Sequence, residues 1–142
     1  MAFKIAPVDA LFAKPMLKIL DAHPDLWQKV KRDDLLSASF YYVYRKGSKN
    51  EPIAFFGVCC WRGYEAVICY LWVAESWRRH GIFNSIVSFV KDRYACYEQI
   101  SIGASNTNAL ARAIYGRKFE WWKKDADGDG DWFYVKKPRE AK

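Results

Sequence analysis

Residues Ala66–Val73 (AVICYLWV) form a near-continuous apolar run, and this run constrains the chain more than any other feature. A strand with one face in water alternates apolar and polar residues. A run without alternation is the pattern of a strand buried on both faces. A second apolar run, Ile53–Trp61, precedes it across an Arg62-Gly63 turn and reads as a neighbouring strand. A short loop follows Val73, and a helix is expected to begin near Gly81. Ile82, Ile86, Phe89 and Val90 fall on one face of that helix, and Lys91, Asp92 and Arg93 crowd its end. Gln99–Gly103 then reads as a short strand. A buried strand, a helix and another strand make a β-α-β crossover.

The flanking sequence supplies the other elements. Phe3–Ala6 reads as a first strand. A helix starting at Pro7-Val8-Asp9 carries Leu11, Phe12, Met16, Ile19 and Leu20 on its apolar face. His23-Pro24-Asp25 breaks it, and a second short helix is expected over Asp25–Lys31. Ser39–Arg45 is an aromatic-rich strand, followed by a turn at Gly47-Ser48-Lys49-Asn50. Asn106–Tyr115 reads as a helix with Leu110 and Ile114 on one side. Phe119–Lys123 and Trp132–Lys137 read as a closing hairpin. The expected order is β-α-α-β-β-β-α-β-α-β-β. This is an α/β chain with a mixed, mostly antiparallel sheet flanked by helices. No repeat or linker divides it, so residues 1–142 read as one domain.

Bulk properties exclude some classes. Four cysteines, Cys59, Cys60, Cys69 and Cys96, include no C-x-x-C pair, which argues against a zinc or dithiol site. They are expected as small buried hydrophobes in a reducing compartment. Met1–Ile5 lacks a signal-peptide core, and Ile53–Trp61 is too short to span a bilayer, so a cytoplasmic protein without a membrane segment is expected. The formal net charge of +7 favours anionic partners but does not choose among nucleic acid, a polyphosphate cofactor, an acidic protein and anionic lipid.

The chemistry concentrates in Leu71–Asn84. A buried strand ends at Val73 and a helix opens near Gly81, so unpaired backbone N–H groups and a positive dipole end meet in one place. That combination suits a diphosphate. Gly81 lets a phosphate approach the backbone, and Arg78, Arg79 and His80 add donors and charge. Read by itself, the same pattern also fits a purely structural turn.

The pattern Leu71-x-Val73, four residues, then Arg78-Arg79-His80-Gly81-Ile82-Phe83 resembles the acetyl-coenzyme A signature of the GNAT N-acetyltransferase superfamily. Phe83 stands where that signature ordinarily has a small residue. A second segment agrees: Asn108, Ala111 and Tyr115 keep the family spacing, and Gly116-Arg117-Lys118-Phe119 follows, with Lys118 in place of the usual Gly. The resemblance covers Ile53–Lys137.

The resemblance implies a GNAT fold in which two adjacent strands splay to admit the pantetheine arm of acetyl-coenzyme A. Leu71, Trp72 and Val73 would line that arm, with the Val73 backbone pairing to it. The amides from Arg79 through Ile82 and Phe83 to Asn84 would cradle the diphosphate, and Asn108 and Ala111 would hold the cofactor. Tyr115 corresponds to the family's general acid, which protonates the leaving thiolate while an amine attacks directly. For the general base, Glu65 at the start of the strand and Glu75 just after it are the candidates, although solvated surface positions also suit both; Tyr70 is a further participant to consider.

The acceptor is a primary amine of unspecified identity. Two alternatives stay open: a GNAT-fold binding module without catalysis, and an acyltransferase acting on nucleic acid or a nucleic-acid-associated protein. A homodimer is compatible with either. The second alternative draws on the basic charge and on Trp72, Trp77, Trp121, Trp122 and Trp132. The acidic segment Asp125–Asp131 alternates like the start of a calcium loop. Lys136 occupies the position of the required twelfth-place Glu, so a hairpin turn and no metal are expected.

Overall fold

The computed structural model describes residues 3–8, 14–22, 38–47, 51–105, 109–124, 128 and 130–136. Seven strands form one sheet: β1 (Phe3–Pro7), β2 (Ser39–Arg45), β3 (Ala54–Trp61), β4 (Glu65–Val73), β5 (Gln99–Ser105), β6 (Trp121–Lys124) and β7 (Gly130–Tyr134). Helix α1 (Lys14–Ala22) precedes β2, α2 (Ile82–Arg93) joins β4 to β5, and α3 (Ala109–Lys118) follows β5. The helix expected over Asp25–Lys31 lies outside the described residues.

The sheet order is β1-β2-β3-β4-β5-β7-β6, and β4–β5 is the parallel pair in an otherwise antiparallel sheet. The crossover through α2 explains that pair, because parallel neighbours need a long connection. β4 is central, and its unbroken apolar run follows from cover on both faces. Ala66 and Ile68 pack with Ile82, Ile86 and Val90 of α2; Val67, Cys69 and Tyr70 pack with Met16 and Leu20 of α1.

Four side chains depart from the sequence expectation. Leu110 is 68% exposed, so Ala111, Ile114 and Tyr115 form the packed face of α3 instead. Only Cys59 and Cys69 are buried; Cys60 and Cys96 are exposed, and all four thiols are free. Cys60 follows a buried neighbour on one strand, so the pleat turns it to the other side, at the strand's end. Glu65 is buried rather than solvated.

Between β3 and β4 the register shifts. Phe55 pairs with Trp72 and Gly57 with Cys69, so two steps on β3 face three on β4. The extra residue is accommodated at Tyr70, whose φ is 53°. A bulge of this kind bends its strand and raises the local twist. On β3 the opposing Gly57 has Phe40 lying over it; a Cβ there would stand 2.8 Å from the Phe40 ring. The aromatic ring fills space that any side chain would take.

Candidate functional site

The site begins where β4 and β5 part. Their parallel ladder runs from Glu65–Gln99 to Ile68–Ile102 and stops, although β4 continues to Val73 and β5 to Ser105. Just above the end of this ladder lies the Tyr70 bulge. Ala54 and Val73 are register partners, and the Ala74 amide donates to the Ile53 carbonyl at 2.8 Å. That pattern marks a non-hydrogen-bonded pair, so the N–H and C=O of Val73 point away from β3 and toward the gap.

Beyond Val73, a short 3-10 turn over Glu75–Trp77 leads into α2. Arg78 donates from Nε to the Val73 carbonyl at 3.2 Å, closing the loop onto the strand. Trp77 packs edge-on against Phe3 and lies 5.2 Å from the His80 ring, which ties the loop to β1. Gly81 caps α2 with φ 81° and no side-chain cap bond. Its carbonyl accepts the amide of Ser85 at 3.1 Å, so the amides of Ile82, Phe83 and Asn84 have no intrahelical acceptor. A Cβ at Gly81 would meet nothing within 4 Å, leaving the approach to these amides open. Arg78, Arg79 and His80 are exposed around it.

The third component comes from α3. Tyr115 is 8% exposed, and its ring stacks on Phe83 at 5.3 Å and 21° and meets the Phe133 edge at 5.7 Å. Burial holds its phenol well above the ordinary tyrosine range, so Oη stays protonated. Among the described residues the hydroxyl has no hydrogen-bond partner.

The site therefore combines a strand end bordered by one strand only, a helix start whose first amides lack intrahelical acceptors, and open space over a left-handed glycine, features that suit an anionic group. A model of the acetyltransferase (GNAT) family matches residues 9–121. The chain belongs to the GNAT acetyltransferase family. No curated protein matches its sequence significantly. Among solved structures, it resembles an acetyltransferase from Thermus thermophilus with a TM-score of 0.73 at 12% identity, covering 94% of this chain and 96% of that one. It also resembles the PaiA N-acetyltransferase of Thermoplasma acidophilum in complex with coenzyme A (TM-score 0.69, 7% identity, 93% and 98% covered). A third, from Elizabethkingia anophelis, has acetyl-coenzyme A bound (TM-score 0.57, 18% identity, 93% and 95% covered). These likenesses establish the GNAT fold.

Within this GNAT frame the sequence-derived candidates separate into groups. Leu71, Trp72 and Val73 form the half-buried, splayed end of β4, with Trp72 stacked on Phe55 at 5.4 Å. Arg78 to Asn84 form the loop and first turn of α2. Ala111 and Tyr115 lie on the packed face of α3, while Asn108 lies outside the described residues. Glu65 sits at the opposite end of β4, where Ser101 donates from Oγ to Oε2 at 2.9 Å. Glu75 stands exposed in the loop after β4. The structure brings neither carboxylate into contact with Tyr115.

Two participants escaped sequence reasoning. Arg112, one turn before Tyr115, donates from Nε to Asp131 Oδ2 at 2.8 Å, and Lys124 lies 3.8 Å from Oδ1. Asp131 is 4% exposed, so this end of the acidic segment faces inward instead of offering a cation site. Asp125, Asp127 and Asp129 lie outside the described residues. Lys118 places Nζ 5.7 Å over the Phe83 ring. No local signal marks either contact, because each joins elements distant in sequence. Among the described residues no three His, Cys, Asp or Glu gather as metal ligands, and no helix is long and apolar enough to cross a membrane.

Proposed function

We propose that this GNAT protein transfers an acetyl group from acetyl-coenzyme A to a primary amine. The observation that carries this reading is the parting of β4 from β5 after Ile68–Ile102, followed along the chain by a start of α2 without a side-chain cap. Bound acetyl-coenzyme A supplies an activated acetyl thioester. The amides of Ile82, Phe83 and Asn84, with Arg78, Arg79 and His80, hold the diphosphate. Leu71–Val73 align the arm, and the Val73 N–H is the backbone donor closest to this use. Ala111 on α3 adds to the hold, and by the family motif Asn108 does so too. Holding amine and thioester side by side supplies much of the rate gain.

Tyr115 holds a proton at Oη, kept there by burial, for delivery to a leaving group. The amine must arrive neutral or lose its proton nearby. Glu65 is engaged by Ser101 at the far end of the strand and Glu75 faces solvent, so proton release to water fits this site better than a fixed carboxylate base. The same observation favours a second reading, a GNAT-fold module that binds the cofactor without turnover.

Calorimetric titration of acetyl-coenzyme A tests the cofactor site. Wild type is expected to bind in the micromolar range. Gly81→Glu should lose at least about tenfold, since it places charge and bulk over the free amides. Gly81→Ala should lose less, because its methyl meets open space and only the left-handed φ is strained. A folded wild type that takes up no acetyl-coenzyme A would sink the proposal. Binding without thiol release across a panel of amines would establish the second reading.

A further inference from the structure

Phe83 departs from the small residue usual at its place in the motif, and its ring has a specific environment. It stacks on Tyr115 at 5.3 Å, meets Phe119 edge-on at 6.1 Å and carries the Lys118 ammonium at 5.7 Å from its centroid. Among the described residues, the ring contacts between α2 and α3 all run through Phe83. Its own amide is one of the three left open at the start of α2.

We infer that Phe83 is a positioning residue that ties the Tyr115 phenol to the diphosphate-binding turn, with Lys118 clamping its ring from the other helix. The inference rests on the reading of Tyr115 as the proton donor. A small residue at this position would leave one face of the Tyr115 ring uncovered, and Phe133 and Phe119 meet that ring only edge-on or tilted. Water would reach the phenol, and the ring would gain rotational freedom. With Phe83 present, the turn whose backbone amides would hold the phosphates also carries the ring that fixes the phenol, so the proton's position is set relative to that turn by one side chain. Lys118 adds a cation–π contact and a positive charge beside the proposed phosphate site. In this chain Lys118 and Phe83, the two departures from the motif, are neighbours, each filling space or adding charge where the usual small residue or glycine would not.

The test combines a titration with kinetics. Tyrosine ring carbons are labelled with carbon-13, and Tyr115→Phe identifies the Tyr115 signal. In wild type this signal is expected to stay un-ionised after exposed tyrosines have titrated near pH ~10. In Phe83→Ala its midpoint should fall by about one pH unit or more as water reaches the ring. With an acceptor identified by the amine panel, kcat of that variant should fall about tenfold while KM for acetyl-coenzyme A changes less than about twofold. Phe83→Tyr, which keeps a stacked ring, should restore both readouts. An unmoved Tyr115 titration, or an unmoved kcat, in a folded Phe83→Ala protein overturns the inference. Undiminished kcat in Tyr115→Phe would instead overturn the proton-donor reading, and the titration, which needs no acceptor, would still report on the contact.

Discussion

The two halves of β4 share one sequence character and have opposite surroundings. Glu65–Ile68 lies between β3 and β5, hydrogen-bonded on both sides and buried. Leu71–Val73, only a few residues on, is half-buried and bordered by β3 alone. The transition is made at Tyr70, a bulky residue at φ 53°, a conformation that costs about 1–2 kcal/mol outside glycine. Such strain persists only where the surroundings over-determine it, and here the Tyr70 ring is buried beside Phe40, 5.8 Å between centroids. One half of the strand is therefore a stability element. The other half has backbone groups turned toward the gap left by β5.

If that division holds, mutations in the two halves should separate stability from binding. The largest effect is expected from Ile68→Ala, which empties a side chain 2% exposed against α2. Thermal unfolding should show a loss of about 2–5 kcal/mol. Acetyl-coenzyme A affinity, measured below the lowered melting temperature, should stay within about twofold of wild type. Leu71→Ala in the splayed half should cost less than half as much stability while weakening cofactor binding. Equal stability losses would erase the distinction drawn here.

A smaller effect is expected from Ser101→Ala, which leaves the buried Glu65 carboxylate without its hydroxyl donor. Denaturant titration should give a loss of about 1–3 kcal/mol with cofactor affinity retained. A large drop in turnover without loss of stability would instead place Glu65 in the chemistry. The smallest expected stability change belongs to Arg78→Ala, within about 0.5 kcal/mol because the side chain is exposed. Its effect should appear in calorimetry as a several-fold weaker Kd.

Much of this could be read before any coordinates. Ser39–Arg45 has the observed strand bounds, because aromatic and β-branched residues fill it and a turn follows it. Gly81 was legible because a left-handed helix cap favours the one residue without a Cβ. The sequence placed Tyr115 on a helix, where it lies. The bulge at Tyr70 was not legible, since nothing local distinguishes a tyrosine at positive φ from its neighbours. Leu110 misled because its i, i+4 spacing with Ile114 suggested a shared buried side, whereas contacts with β5 and β7 select Ala111 and Tyr115. Glu65 and Asp131 looked like surface charges; their burial depends on Ser101 and Arg112, 36 and 19 residues away in sequence. Alternation and spacing report local geometry, and they carry no information about which distant side chain arrives opposite.

The bond from Arg78 to the Val73 carbonyl bears on the speed of capture. Two of the three residues after Arg78 adopt positive φ, Arg79 at 67° and Gly81 at 81°, which a free loop seldom adopts together. With Arg78 anchored, the loop has this shape before any ligand arrives. If this loop receives the cofactor, association should need no slow rearrangement and be governed by diffusion and by the field of the clustered cations. Added salt should accordingly slow the arrival of a polyanionic ligand more than it hastens its departure.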